Sequence, residues 1–185
     1  NIIEKDLDLL YLGTMEWFPN AQGLIWFIEK VFPLVLSERP ETTLNIGGYG
    51  QPNGDLLRLC KENSQIKFWG EVENDAVFFH KSKVFIVPLF IGAGARVKIP
   101  TAWASGIPIV STTIGAEGLD AKDNENIILS DDPAEFAKGI IRLLSDHDFS
   151  ENISKAGIET AKKSYSAKFC ADRLVEIYRN ILNVQ

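Results

Sequence analysis

The sequence predicts a single α/β domain with a parallel sheet of about six strands flanked by helices. Three observations predict it. Short β-branched runs alternate with longer segments of helical period, the pattern of strands joined by helical crossovers. Several of those runs end in Gly or Pro, which suits strands whose backbone must turn sharply at the carboxyl edge of an open sheet. The 185 residues, 45% hydrophobic and 24% charged, fit one core and lie far from the composition of disorder.

The elements follow in order. Strands are expected over 9–13, 43–47, 66–70, 84–89, 108–112 and 126–129, each a short apolar run bounded by turn residues. Between the first two, residues 21–36 carry Leu, Ile, Trp and Phe at helical spacing, and Pro33 should bend the helix or split it in two. Asp132-Pro133-Ala134-Glu135 combines a capping residue, proline at the first helical position and Glu three residues after the cap, so a helix starts there with Phe136, Ile140, Leu143 and Leu144 inward. A last helix is expected from Ser166, with Phe169, Cys170, Leu174, Ile177, Tyr178 and Ile181 forming its apolar face.

Charge and cysteine usage bound the function. A net charge of −6 offers no global field for nucleic acid, so any anion must be held by a local site. Cys60 and Cys170 lie far apart among apolar helical positions and are expected to be buried free thiols of a reducing compartment. No signal peptide or membrane span is legible, which points to the cytoplasm. The chain opens on Asn1 with a strand-like run close behind, as a segment of a longer protein would. His80 and His147 fall in helical segments away from the glycine loops, and no His, Asp and Glu cluster has ligand spacing, so no metal is expected. Of the four tryptophans, Trp17, Trp26, Trp69 and Trp103, each can stack a base or pack the core, and Trp26 and Trp103 are assigned to packing. The run Gly48-Tyr49-Gly50-Gln51-Pro52-Asn53-Gly54 hints at a dinucleotide fingerprint. It follows the second strand, contains proline and lacks the acidic residue at the end of the next strand, which argues against NAD.

The segment richest in chemistry is 88–108, where a glycine loop leaves a buried strand and enters a helix. Gly92 and Gly94 would let unpaired N–H groups close on a phosphate, and Arg96 and Lys98 add two charges. A glycine-rich turn with two solvated cations is the plain alternative.

The segment resembles the Gly-x-Gly-x-Arg-x-Lys signature in the carboxyl-terminal domain of GT-B glycosyltransferases of the family 4 (group 1) type. Further matches fall in the family's order: Gly13 with Pro19-Asn20, Ile46-Gly47-Gly48, Phe68-Trp69-Gly70-Glu71-Val72, and Ile114-Gly115-Ala116-Glu117-Gly118-Leu119. The resemblance implies a Rossmann-like sheet forming one GT-B half, over residues 1–185, with the amino-terminal acceptor domain absent from this chain. It implies a retaining transfer of a sugar from an NDP-sugar to an acceptor hydroxyl, the acceptor being membrane-associated in some arrangements and the full-length protein then peripheral to the inner membrane face. Gly13, Gly92, Gly94, Arg96, Lys98, Thr101 and Glu117 would line the donor site, with Arg96 and Lys98 stabilising the diphosphate leaving group, a positioned cation contributing about 3 kcal/mol. Neither cofactor nor metal is implied. Family members commonly carry Glu at the positions of Thr101 and Ala93, and both carboxylates are missing here. Glu117 is the nearest candidate substitute, or an exposed loop acid. A non-catalytic module with a degenerate donor site and an NDP-sugar epimerase-type domain are the competing readings.

If Arg96 grips the diphosphate, Arg96→Ala raises the Kd of a nucleoside diphosphate by about tenfold or more while leaving the free nucleoside nearly unchanged. Titration calorimetry with both ligands checks this, and equal losses would place Arg96 outside the phosphate site.

Overall fold

A computed structural model describes residues 5–92 and 97–182. Six strands form one parallel sheet: β1 (Leu7–Leu12), β2 (Leu44–Gly47), β3 (Ile66–Gly70), β4 (Ser82–Val87), β5 (Ile109–Ser111) and β6 (Ile128–Leu129). Their spatial order is β3-β2-β1-β4-β5-β6. Every expected strand is present, and the boundaries move by one or two residues for local reasons. β4 stops before Pro88, and β5 starts after Pro108, because proline has no N–H for a ladder.

The central strands are buried on both faces, so they read as continuous apolar runs. Alternate residues nonetheless enter different cores. Leu9 and Tyr11 of β1 and Val84 and Ile86 of β4 point to one side; Leu10, Leu12, Phe85 and Val87 point to the other. The amino ends of β1, β2 and β4 are tied by Asp8, whose carboxylate accepts from Lys83 Nζ (2.8 Å) and the Thr43 N–H (2.9 Å).

The first core is covered by α1 (Phe18–Trp26), α2 (Phe32–Glu38), α3 (Gly54–Glu62) and α6 (Pro133–Ser145). Residues 18–38 run as one helical path. Between α1 and α2 the segment Phe27–Val31 widens to a π-turn, and the Phe32 N–H reaches back to the Phe27 carbonyl. This is how the chain admits Pro33: the ladder is loosened in the turn before a residue that cannot donate and that crowds the preceding turn. The path begins three residues earlier than expected, with Pro19 in its first turn. Trp26 packs edge-on against Phe90 and Phe136, at 4.6 and 5.7 Å between centroids. Asp132 caps α6 as expected, accepting from the Ala134 and Glu135 N–H groups.

The second core lies under α4 (Asp75–Lys81), α5 (Lys98–Ala104) and α7 (His147–Ser164). Trp103 fills it, fully buried, and its indole N–H donates to the Asn126 carbonyl at 2.7 Å. The helices end in α8 (Ala167–Leu182), which packs against α7. Here the expected apolar face is present but uncovered, and the expected burial of Cys170 fails. Phe169, Leu174, Ile177, Tyr178 and Ile181 are 43–69% exposed, and Cys170 is exposed as well. The periodicity was a sound sign of an amphipathic helix, but α8 lies beyond the edge of the two cores. Cys60 on α3 is buried, and burial pushes its thiol up to about 11. Among the described residues no helix is long and apolar enough to cross a membrane.

The carboxyl edge is positioned by a close approach of α1 to the exit of β4. A Cβ added at Gly23 would sit 1.7 Å from the Pro88 carbonyl oxygen, so only glycine lets the helix meet this backbone. Gly23→Ala should therefore destabilise the chain by about 1–3 kcal/mol or prevent folding. Urea unfolding measures it, and an unchanged midpoint would mean that the helix is free to lift away.

Candidate functional site

β1 has β2 on one side and β4 on the other, so the crossovers leaving these central strands run in opposite directions. The chain parts at their carboxyl ends and leaves a crevice, the position at which open α/β sheets bind ligands. The crevice encloses about 440 Å³. Leu12, Phe79 and Phe85 contribute apolar surface, and Gly13, Gly48, Lys98 and Thr101 stand at its polar wall.

Two glycine turns build that wall. The Gly13 N–H donates to the Gly47 carbonyl (3.1 Å), and the Gly48 N–H donates to the Gly70 carbonyl (2.8 Å). Gly48 has φ +137°, and a Cβ there would lie 1.9 Å from the Gly13 carbonyl oxygen. The turns after β1 and β2 are thus stacked backbone on backbone, which side chains would forbid. The exit of β4 is fixed from the other side. Thr112 Oγ1 accepts from the Leu89 N–H (3.0 Å) and the Gly115 N–H (3.2 Å), and Ser111 Oγ donates to the Val87 carbonyl (3.2 Å).

Lys98, the first residue of α5, leans over Gly13. Its ammonium donates to Asn20 Oδ1 at 3.2 Å and to the Tyr11 hydroxyl at 3.4 Å, and it lies 4.9 Å from the Tyr11 ring centroid. A Cβ at Gly13 would come within 2.5 Å of the Lys98 nitrogen, so the glycine vacates the place that the ammonium takes. Asn20 is 2% exposed, and its other amide atom donates to the Thr14 carbonyl at 2.7 Å. Tyr11 is 1% exposed, and burial holds its hydroxyl above the ordinary phenol range, so it stays neutral.

The sequence-derived candidates fall unevenly on this frame. Gly13, Lys98 and Thr101 meet at the crevice. Thr101 Oγ1 donates to the Val97 carbonyl of its own helix at 2.9 Å, which leaves its oxygen lone pairs for a ligand. Gly92 is half-buried in the loop after β4, while Ala93, Gly94 and Arg96 lie outside the described residues. Glu117 is exposed and follows the short 3-10 turn Ile114–Ala116. The carboxylates on the crevice wall are Glu71, just after β3, and Asp75, the first residue of α4. Sequence reasoning gave neither acid a role, and it quoted Asn20 only as part of a Pro-Asn pair. A signal for Asn20 did exist, since a carboxamide just inside an apolar helix start needs a buried partner. Trp17, 43% exposed, also lines the crevice, and Trp69 donates to Asn45 Oδ1 at 3.1 Å. Among the described residues no three His, Cys, Asp or Glu side chains gather as a metal site.

The arrangement therefore offers a tethered cation, exposed backbone turns and two acids across one cleft, which suits a ligand with an anionic part and hydrogen-bond-donating parts.

Known proteins are similar to this chain in sequence and in fold. The chain is 33% identical over 155 residues, 80% of its length, to the 44.6 kDa protein in the cps region of Klebsiella pneumoniae, and it spans 38% of that curated relative. The C-terminal domain of the group 1 glycosyltransferase LpcC of Francisella tularensis has the same fold, with TM-score 0.71 at 18% identity over 89% of each chain. HepE of Anabaena, solved with UDP and glucose, matches with TM-score 0.75 at 13% identity, over 94% of this chain and 48% of its own. The sheet is that of the GT-B fold. Residues 6–146 match the family described as Glycosyl transferases group 1, and the chain belongs to that family.

Proposed function

We propose that this chain is the donor-nucleotide domain of a retaining GT-B glycosyltransferase, which moves a sugar, a hexose in the simplest case, from an NDP-sugar to an acceptor hydroxyl. The observation that carries the reading is the Lys98 ammonium held over Gly13 at the switch-point crevice. Family membership and the fold shared with HepE, a protein solved with UDP and glucose, support it. In this reading the diphosphate lies along the Gly13 and Gly48 turns. As the bond from the anomeric carbon to the diphosphate oxygen breaks, negative charge grows on that oxygen, and Lys98 with Arg96 stabilises it. No metal takes part. The acceptor would be held by a second, amino-terminal domain, so the isolated domain binds donor without turning it over. The likeness to a protein of a cps region supports an acceptor in surface-polysaccharide assembly.

One observation favours a second reading, a degenerate donor module. Thr101 stands where a carboxylate would take the ribose hydroxyls, and with its proton donated to the Val97 carbonyl it offers them only a neutral acceptor.

Calorimetric titration of this chain with UDP, GDP, ADP and their free nucleosides separates the two. Selective binding of one diphosphate over its nucleoside is expected for a working donor site, and silence from all six ligands would favour the degenerate module. Thr101→Glu should strengthen binding of the preferred diphosphate by about tenfold, the worth of a charge-assisted hydrogen bond, with little change for its 2′,3′-dideoxy analogue. No gain, or an equal gain for both, would argue against a ribose contact at this position.

A further inference from the structure

We infer that Asn20 is a positioning residue for the Lys98 ammonium, a buried carboxamide that ties the cation to the turn after β1 and so pre-sets the phosphate side of the crevice. The inference rests on the donor-nucleotide reading of that crevice.

The geometry has three parts. Asn20 offers its oxygen to Lys98 Nζ at 3.2 Å and its nitrogen to the Thr14 carbonyl at 2.7 Å. Because the carboxamide is planar and both ends are engaged, the position of Lys98 is referred to the Gly13–Thr14 backbone itself. Asn20 is 2% exposed, so neither end can trade its partner for water without cost. The Tyr11 hydroxyl, 1% exposed, supplies a second and more distant acceptor at 3.4 Å.

A flexible lysine loses rotamer entropy when a ligand orders it, on the order of 1–2 kcal/mol. A neutral tether lowers that loss beforehand while leaving the positive charge intact. Neutrality is the essential chemistry: an aspartate would still accept from Lys98, but it would lose the donor to the Thr14 carbonyl and would cancel the charge that a phosphate needs. The acids of the crevice, Glu71 and Asp75, come instead from the exit of β3 and the start of α4.

Asn20→Asp is the variant of choice, because it keeps the shape and the acceptor for Lys98 while giving up the Thr14 donor and the neutrality of the tether. Titration of this chain with UDP, GDP and ADP and their nucleosides is the measurement. The expected result is at least a tenfold rise in Kd for the preferred diphosphate, with its nucleoside within about twofold. Diphosphate affinity unchanged in Asn20→Asp, or lost equally for the nucleoside, would overturn the role. If Asn20→Asp does not fold, a stability cycle of Asn20→Ala and Lys98→Met serves in its place. Non-additive unfolding midpoints are expected, and additivity would overturn the tether. Failure of the unmodified chain to bind any of the three diphosphates would instead sink the donor reading, and this role with it.

Discussion

The architecture depends on one constraint: β1 must pair with β2 on one side and β4 on the other while all three run parallel. A parallel neighbour can be reached only by a crossover, and crossovers of one hand leaving a central strand in two directions must cover opposite faces. Both faces of β1 and β4 are therefore buried, in two separate cores, and the chain must part at their carboxyl ends. The crevice is what remains where the chain parts. Part of its wall is backbone, because Gly13 and Gly48 stack turn on turn, and Gly23 admits the Pro88 carbonyl behind it.

Buried polar groups then give this opening a fixed shape. An unpaired buried donor or acceptor costs about 1–3 kcal/mol, so each is a strong local constraint when it is paired. Thr112 locks the exit of β4 to the 114–116 turn, Asn45 joins the Leu9 carbonyl to the Trp69 indole, and Asn20 joins Thr14 to Lys98. The bonds of Thr112 and Asn20 lie at the carboxyl edge of the sheet, beside the proposed donor site. A site that holds its charged group in place before the ligand arrives avoids reorganisation when charge develops.

Much of the fold was legible beforehand. The six strands follow from apolar runs punctuated by Gly and Pro, and the α6 start follows from Asp132, Pro133 and Glu135, because these signals are local in the chain. Other features were not. The π-turn at Phe27–Val31 is one of two ways to admit Pro33, and packing against α6 selects between outcomes that sequence leaves equal. The amphipathic pattern of α8 was read correctly but the burial of Cys170 was not, since periodicity records that a face is apolar and not what covers it.

By itself the sequence determined the strand and helix order, the glycine turns and the family, because each is written in neighbouring residues. Which side chains meet was decided by the tertiary structure alone. Asn20 and Lys98 are 78 residues apart in the chain, and Glu71, Asp75 and Thr101 come from separate elements. Their meeting depends on the strand order and on where β1 and β4 end, quantities that arise only when the sheet closes its two cores. The carboxylates of the crevice therefore come from the exit of β3 and the start of α4, a placement no spacing in the sequence encodes.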